Sequence, residues 1–313
     1  MKNMILTITL NPTIDKSTSV EKIAPESKLR CAAMKHEPGG GGINVSKALK
    51  KLGSDSKTLF PAGGYNGLML KHLLHEEHIE AEVIPVEKET RENFIVLETS
   101  TNKQYRFNLP GEPTSIPLLE KVIEYIQNNP FEYIIASGSL LPGMTDDTYA
   151  QIAKVAASMG AKFILDTSGP ALEAAVNEGI YLLKPNIGEL AKLSGIQWLE
   201  ADGVEAAARK LIDQGKVTLV AVSMGAAGAL LISKDASYKV LAPEVEKRST
   251  VGAGDSMVAG MVYMLSQGKT LEEVIRFGVA CGTAATMNHG TELFYKEDAE
   301  RLFQTMKVES YQV

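Results

Sequence analysis

Cysteine is scarce in this chain: Cys31 and Cys281 are the two in 313 residues, and they form no CxxC or metal-type spacing. A disulfide framework is therefore not the source of stability, and 44% hydrophobic residues at this length can bury a large core without staples. A reducing, cytoplasmic compartment is the expectation. Positive charge is also short, with 32 Lys and Arg against 38 Asp and Glu and a formal net charge of -6. This balance speaks against broad attraction to nucleic acid or an anionic membrane, so cations in any phosphate site must be placed individually. No apolar run suits a bilayer helix. Residues 4–10 are too few and lead into Asn11-Pro12 rather than a cleavage site, and the uncharged stretch 217–233, broken by Gly225 and Gly228, suits two short strands around a turn. Two phosphate-binding signatures are missing as well. Neither G-x-G-x-x-G nor G-x-x-x-x-G-K-[ST] occurs, which argues against a Rossmann dehydrogenase and a P-loop kinase.

What is present is an alternation of short apolar runs with helix-length amphipathic segments. Residues 4–10, 132–137, 161–166, 181–184 and 218–223 read as strands, with helices near 146–159, 169–178 and 201–214. Such alternation predicts a parallel sheet covered by helices, in which ligands bind beyond the carboxyl ends of the strands. Those ends carry Ser137-Gly138-Ser139, Asp166-Thr167-Ser168, Lys184-Pro185-Asn186 and Ser223-Met224-Gly225. Residues 91–109 differ, because 93–99 and 104–109 flank the polar turn Ser100-Thr101-Asn102-Lys103 and predict a β-hairpin. Phe94, Ile95, Val96 and Leu97 are apolar on both alternating faces, which a hairpin alone in water tolerates poorly. One face is expected to cover a pocket and the other a partner chain, with Ile95 among the outward-facing residues, as in a small lid formed with residues around 12–37; the plainer alternative is an ordinary edge of the central sheet.

The most informative run is Ser249-Thr250-Val251-Gly252-Ala253-Gly254-Asp255-Ser256-Met257, where two glycines precede a carboxylate at the start of an apolar helix. Glycine lets backbone approach a ligand closely, and the first N–H groups of a helix lack intrahelical partners and can meet an anion. A carboxylate beside such a site either serves the helix dipole or removes a proton from an attacking hydroxyl. The pattern suggests phosphoryl transfer to an alcohol. A second cluster, Pro38-Gly39-Gly40-Gly41-Gly42-Ile43-Asn44-Val45, opens a helical pattern over 43–52 and offers bare backbone to a polyhydroxy ligand, or simply a flexible turn. Asp15 supplies a bidentate acceptor for sugar hydroxyls, or a local turn contact. His72, His75 and His78 recur every third residue, but their spread around a helix and the adjoining Glu76 and Glu77 suit a solvated helix end better than a metal site.

Leu10-Asn11-Pro12-Thr13-Ile14-Asp15, the four-glycine cluster, Lys184-Pro185-Asn186-Ile187-Gly188-Glu189 and Thr250-Val251-Gly252-Ala253-Gly254-Asp255-Ser256 together resemble the ordered signatures of the ribokinase-like sugar kinases of the phosphofructokinase B family. The resemblance spans nearly the whole chain. It implies a single ribokinase-like domain over 1–313, an α/β three-layer sandwich with a mostly parallel central sheet and a small discontinuous β lid near 12–37 and 88–110. Residues 25–31 and Glu37-Pro38 most resemble the 6-phosphofructokinase branch of bacteria, and Gly41 stands where fructose-1-phosphate and tagatose-6-phosphate kinases commonly carry lysine. The implied activity is ATP-dependent phosphorylation of the 1-hydroxyl of fructose 6-phosphate. The alternatives are tagatose 6-phosphate or fructose 1-phosphate as acceptor, and a non-catalytic sugar or nucleotide sensor.

The same resemblance assigns Asp255 as general base and the amides of Gly252, Ala253 and Gly254, up to Asp255, as the anion hole. Asp15, Gly39, Gly40, Asn44 and Ser139 are implied to hold the sugar, and Arg91 the 6-phosphate, for which a guanidinium fork is suited. Arg106 is a further candidate, or a solvent-facing strand charge. For the nucleotide it points to Lys28, Lys184, Asn186, Ser223, Gly225 and Gly228, with small residues at 280–285 admitting a helix close to adenine. Asn186 and Glu189 are implied to orient Mg²⁺ carried by ATP, with a first-turn helix charge as the plainer role for Glu189. Ser249, Val251, Ala285, Asn288 and Gly290 are implied to hold K⁺, mostly through carbonyl oxygens, although Glu292 replaces an arginine of the nearest relatives. A homodimer whose lids meet is the implied assembly.

Overall fold

A computed structural model describes residues 4–200, 202–288 and 290–312. The chain begins with β1 (Ile5–Ile8), β2 (Thr13–Val20), β3 (Lys35–Gly39), α1 (Gly41–Lys51), β4 (Lys57–Ala62), α2 (Gly64–Glu76), β5 (Glu80–Pro85), β6 (Arg91–Glu98) and β7 (Lys103–Asn108). It continues through α3 (Leu118–Asn128), β8 (Tyr133–Ser137), α4 (Thr148–Ser158), β9 (Lys162–Asp166), α5 (Pro170–Ala175), β10 (Ile180–Leu183), α6 (Ile187–Leu193), α7 (Val204–Asp213) and β11 (Val217–Ser223). The last elements are β12 (Ala229–Ile232), β13 (Ala236–Val240), α8 (Ala253–Ser266), α9 (Leu271–Thr286), α10 (Lys296–Thr305) and β14 (Val308–Gln312).

A ten-stranded sheet runs in the order β14-β13-β12-β11-β10-β9-β8-β1-β4-β5. Strands β5 to β11 in that row pair in parallel, and β12, β13 and β14 extend it antiparallel. Alternating side chains explain the three layers. Leu6, Ile8, Ile134 and Ala136 pack with Tyr149 of α4 and Leu211 of α7 on one face. Ile5, Tyr133 and Ile135 pack with Leu49 of α1, Val258 of α8 and Ile275 of α9 on the other. Both faces are covered, so these strands are nearly continuously apolar and end in polar residues where the helices stop shielding them. No helix among the described residues is long and apolar enough to cross a membrane.

The expected hairpin is present as β6 and β7, and it belongs to a second sheet of order β3-β2-β6-β7. Pairing of β2 with β6 in parallel joins residues far apart in sequence. Register sorts the side chains: Asp15, Asn93 and Asn108 share one face with Ile95 and Arg106, and Phe94, Val96, Tyr105 and Phe107 share the other. Ile95 is therefore not outward-facing, as its sequence position suggested. It is 6% exposed, whereas Phe107 is 53% exposed on the opposite face. The apolar outer surface comes from Phe94, Tyr105 and Phe107, because a period of two places odd and even residues on different sides.

Candidate active site

The carboxyl ends of β1, β8, β9 and β10 converge on the amino end of α8. Gly252 caps that helix in the left-handed region with φ 71, where a side chain would be strained and would also meet Leu293 Cδ2 at 2.4 Å. The turn presents the first amides of α8 to the cleft and sets Asp255 in its first turn. Asp255 Oδ2 accepts from Asn44 Nδ2 at 2.9 Å, and its Oδ1 accepts from Ser137 Oγ at 3.1 Å. Burial and the nearby Asp166 push this carboxyl up to about 6, against the two hydrogen bonds and Lys184. The same environment leaves Asn44 Oδ1 buried without a partner, an acceptor beside the carboxylate where a ligand hydroxyl can donate.

Lys184, almost fully buried at the end of β10, places Nζ 3.0 Å from Asp166 Oδ1. Burial opposes its charge, but Asp166, helped by Asp255 and Glu189, holds the ammonium pKa above its ordinary value. A side chain built on Gly254 would come within 3.4 Å of Lys184 Nζ, so this cation stands over the first turn of α8. A positive charge, a ring of amides and a basic carboxylate thus share one end of the cleft. Anion binding and proton removal are compatible there because different groups perform them.

On the sugar side the small sheet supplies Asp15, which is buried and accepts from Asn93 Nδ2 at 3.0 Å. Burial raises its pKa, opposed by Asn93, Lys47 and Arg91. Gly39 lies against the Asp15 carboxylate and Gly40 against Thr9. Gly41 is required by close approach: a Cβ there would lie 2.2 Å from Ser137 Oγ, the hydroxyl that holds Asp255. Arg91 opens β6 with its guanidinium half-buried, donating to the carbonyls of Asn11 at 3.0 Å and Leu109 at 2.8 Å. It therefore stitches the foot of the hairpin to the β1–β2 connection as well as facing Asp15, whose charge partly offsets the lowering of its pKa by burial. Ser139, exposed, accepts from Asn11 Nδ2 at 3.2 Å. Arg106 faces inward, its Nη2 3.3 Å from Thr250 Oγ1, so the middle of β7 reaches the residue pair before the glycine turn.

Beyond α8 a cleft of about 570 Å³ is lined by Ser223, Gly225, Gly228, Thr250, Gly254 and Gly282 together with the irregular segment 242–247. Its walls are small and apolar enough for a planar heterocycle, and it opens onto the α8 amides. Asn186 and Glu189 form a reciprocal capping box at the start of α6, at 2.9 and 2.8 Å. Lys28 is exposed on the connection between β2 and β3. Of the residues expected at the ion site, Ser249 is brought to the end of α9 beside Ala285, because the amides of Arg248 and Ser249 donate to the Thr286 carbonyl. Asn288 Nδ2 ties Ala284 O to Leu293 O at 3.3 and 2.9 Å, and Gly290 turns with φ 56.

Sequence reasoning missed three participants. Ser137 and Asp166 occupy strand ends, a position that signals a ligand site, but their contacts with Asp255 and Lys184 arise from strand neighbours distant in sequence. The segment 242–247 has neither periodicity nor a motif to mark it. His72, His75 and His78 are exposed, with His78 beyond the end of α2 in a left-handed turn at φ 55.

Residues 2–298 match the family model described as pfkB family carbohydrate kinase. The chain is 41% identical over 304 residues to ATP-dependent 6-phosphofructokinase isozyme 2 of Escherichia coli, covering 96% of this chain and 97% of that protein. It is 40% identical over 305 residues to the isozyme 2 of Mycobacterium tuberculosis, covering 97% and 90%. Among solved structures, Escherichia coli phosphofructokinase-2 in complex with potassium superposes with TM-score 0.93 at 39% identity, covering 96% of this chain and 98% of that one. The same enzyme in complex with fructose-6-phosphate gives TM-score 0.91 at 38% identity with the same coverage.

Proposed function

Because the chain belongs to the pfkB family of carbohydrate kinases, we propose that it is an ATP-dependent 6-phosphofructokinase, converting fructose 6-phosphate to fructose 1,6-bisphosphate. The observation that carries this reading is the Asp255 carboxylate, held by Asn44 and Ser137 at the mouth of an amide-lined helix terminus with Lys184 above it. Asp255 accepts the proton of the sugar 1-hydroxyl as that oxygen attacks the γ-phosphorus of ATP, whose bond to the bridging oxygen breaks to release ADP. The amides of Gly252 to Asp255 and the Lys184 ammonium meet the charge on the transferring phosphoryl. Asp15, Gly39, Gly40, Asn44 and Ser139 orient the sugar, and Arg91 takes its 6-phosphate. Ser223, Gly225 and Gly228 receive the nucleotide, with Asn186 near its phosphates and Lys28 as a further phosphate contact.

Mg²⁺, bound by ATP, supplies charge neutralisation on the phosphates. Asn186 and Glu189 would act on it through water, since their side chains also serve the capping box. The carbonyl-rich loops around Ser249, Val251, Ala285, Asn288 and Gly290 would hold K⁺, and their junction next to Gly252 keeps the amide turn ordered. The small sheet, approximately residues 12–37 and 88–110, acts as a lid on a single domain spanning 1–313. Phe94, Tyr105 and Phe107 on its outer face suit a homodimer in which two lids meet. The two cysteines, exposed Cys31 and buried Cys281, are free.

The test is a panel of fructose 6-phosphate, fructose 1-phosphate, tagatose 6-phosphate and free fructose with MgATP, with products read by phosphorus NMR. Fructose 6-phosphate is expected to give the highest kcat/KM. A higher value on another acceptor would replace the substrate assignment, and binding without turnover on all four would replace the enzyme by a sensor.

A further inference from the structure

The short run 290–293 touches both halves of the molecule. At one end Leu293, buried in a left-handed conformation at φ 63, seats its Cδ2 where a Gly252 side chain would be. One residue before it, Glu292 meets the small sheet: Lys35 Nζ of β3 lies 2.8 Å from Glu292 Oε1 and 3.2 Å from Glu37 Oε1. One ammonium thus bridges two carboxylates, and Glu37 is buried with its Oε2 against Gly290. Burial disfavours the charge on Lys35, but Glu292 and Glu37 together hold its pKa above the ordinary value. Nearby, Lys47 Nζ donates to Pro38 O of β3 and to Thr291 O. This second cross-link follows the same path from β3 to the run.

We propose that Lys35 and Glu292 are positioning residues that fasten β3 of the lid to residues 290–293, and through Leu293 set the Gly252 turn that begins α8. The physical reason is the sign of the charges. Without the Lys35 ammonium, Glu37 and Glu292 face each other across the seam and repel, and the strained Leu293 has less to hold it against Gly252. Lid docking and order of the amide turn then become one coupled equilibrium rather than two. The inference rests on the reading of the α8 terminus as the phosphoryl site only for its kinetic consequence. The mechanical link stands on the contacts alone.

The test uses four full-length proteins: the parent, Lys35→Glu, Glu292→Lys, and the pair with both changes, in which the triad keeps its net charge. Amide hydrogen exchange of residues 290–293 is expected to quicken by roughly three- to tenfold in each single variant, and to return towards the parent rate in the pair. The kcat is expected to follow exchange across the series while the KM for ATP stays fixed. Exchange in β8 and β9 reports global folding, and if either single variant fails that check, Glu292→Gln takes its place with the same expected quickening. Parent-like exchange in the single variants, or a pair as fast as they are, overturns the proposal, as does a kcat that ignores exchange. A parent without phosphofructokinase turnover, but with the expected exchange pattern, would instead overturn the assigned activity and leave the fastening intact.

Discussion

Acid inactivation should report the environment of Asp255. Its carboxyl is pushed up to about 6 by burial and by Asp166, against an ordinary value of 3.8. A base with pKa about 6 is roughly 90% ionised near pH 7 and roughly 10% near pH 5, so kcat/KM, which follows the base of the free enzyme, should fall about tenfold between them. An ordinary carboxylate would lose less than about a tenth over the same range. The kcat/KM for fructose 6-phosphate is measured at subsaturating sugar and constant ionic strength by discontinuous ADP release, which avoids pH-sensitive coupling enzymes. A sugar phosphate titrates in the same region, so the perturbation that separates the two is Asp166→Asn. Removing the Asp166 charge takes away one of the two causes that raise Asp255, and it frees Lys184 to face Asp255 alone. The acid limb should therefore move to lower pH by at least about half a unit, whereas a limb belonging to the substrate would stay in place. An acid limb near 4 in the parent, or one unmoved by Asp166→Asn, would refute this account of how the base is tuned.

Asp255→Asn should lower kcat by roughly 10²–10⁴-fold with ATP affinity retained, as read by steady-state kinetics and nucleotide titration. It should also stabilise the unliganded protein: an acid whose folded pKa is raised above its unfolded value opposes folding above the folded pKa, and this burden fades as pH falls towards 3.8. A Tm gain of a few degrees near pH 7.5, shrinking below pH 6, is expected by calorimetry. Arg91→Ala should raise the KM for fructose 6-phosphate far more than that for ATP, with some loss of Tm because the carbonyls of Asn11 and Leu109 lose their donor. Equal rises in both KM values would remove Arg91 from the sugar-phosphate contact. Potassium should raise kcat over sodium or a bulky organic cation at matched ionic strength, and identical rates would show that the carbonyl loops beside Gly252 serve no catalytic cation. Phe107→Glu should shift sedimentation towards the monomer and lower activity together, since it charges the outer face of the small sheet. A parent that sediments as a monomer throughout its active concentration range would refute the shared-lid assembly.

Local physics was legible from the residues alone. Short apolar runs ending in polar residues predicted the buried parallel strands β8 to β11, because a strand covered on both faces must be apolar until the shielding stops. The turn at Gly252 and the carboxylate at Asp255 were readable because glycine and a first-turn acid leave local signatures at a helix start. Tertiary structure decided what those local pieces meet. The addition of β14 to the edge of the large sheet beside β13, the parallel pairing of β2 with β6, and the inward turn of Ile95 all depend on register between distant segments. So do the contacts that tune the site: Ser137 and Asn44 grip Asp255, and Asp166 faces Lys184, across gaps in sequence that no periodicity spans. Propensity and patterning act over a few residues, whereas the pKa of a carboxylate depends on every charge and dipole within several ångströms, and only the folded chain brings those groups that close.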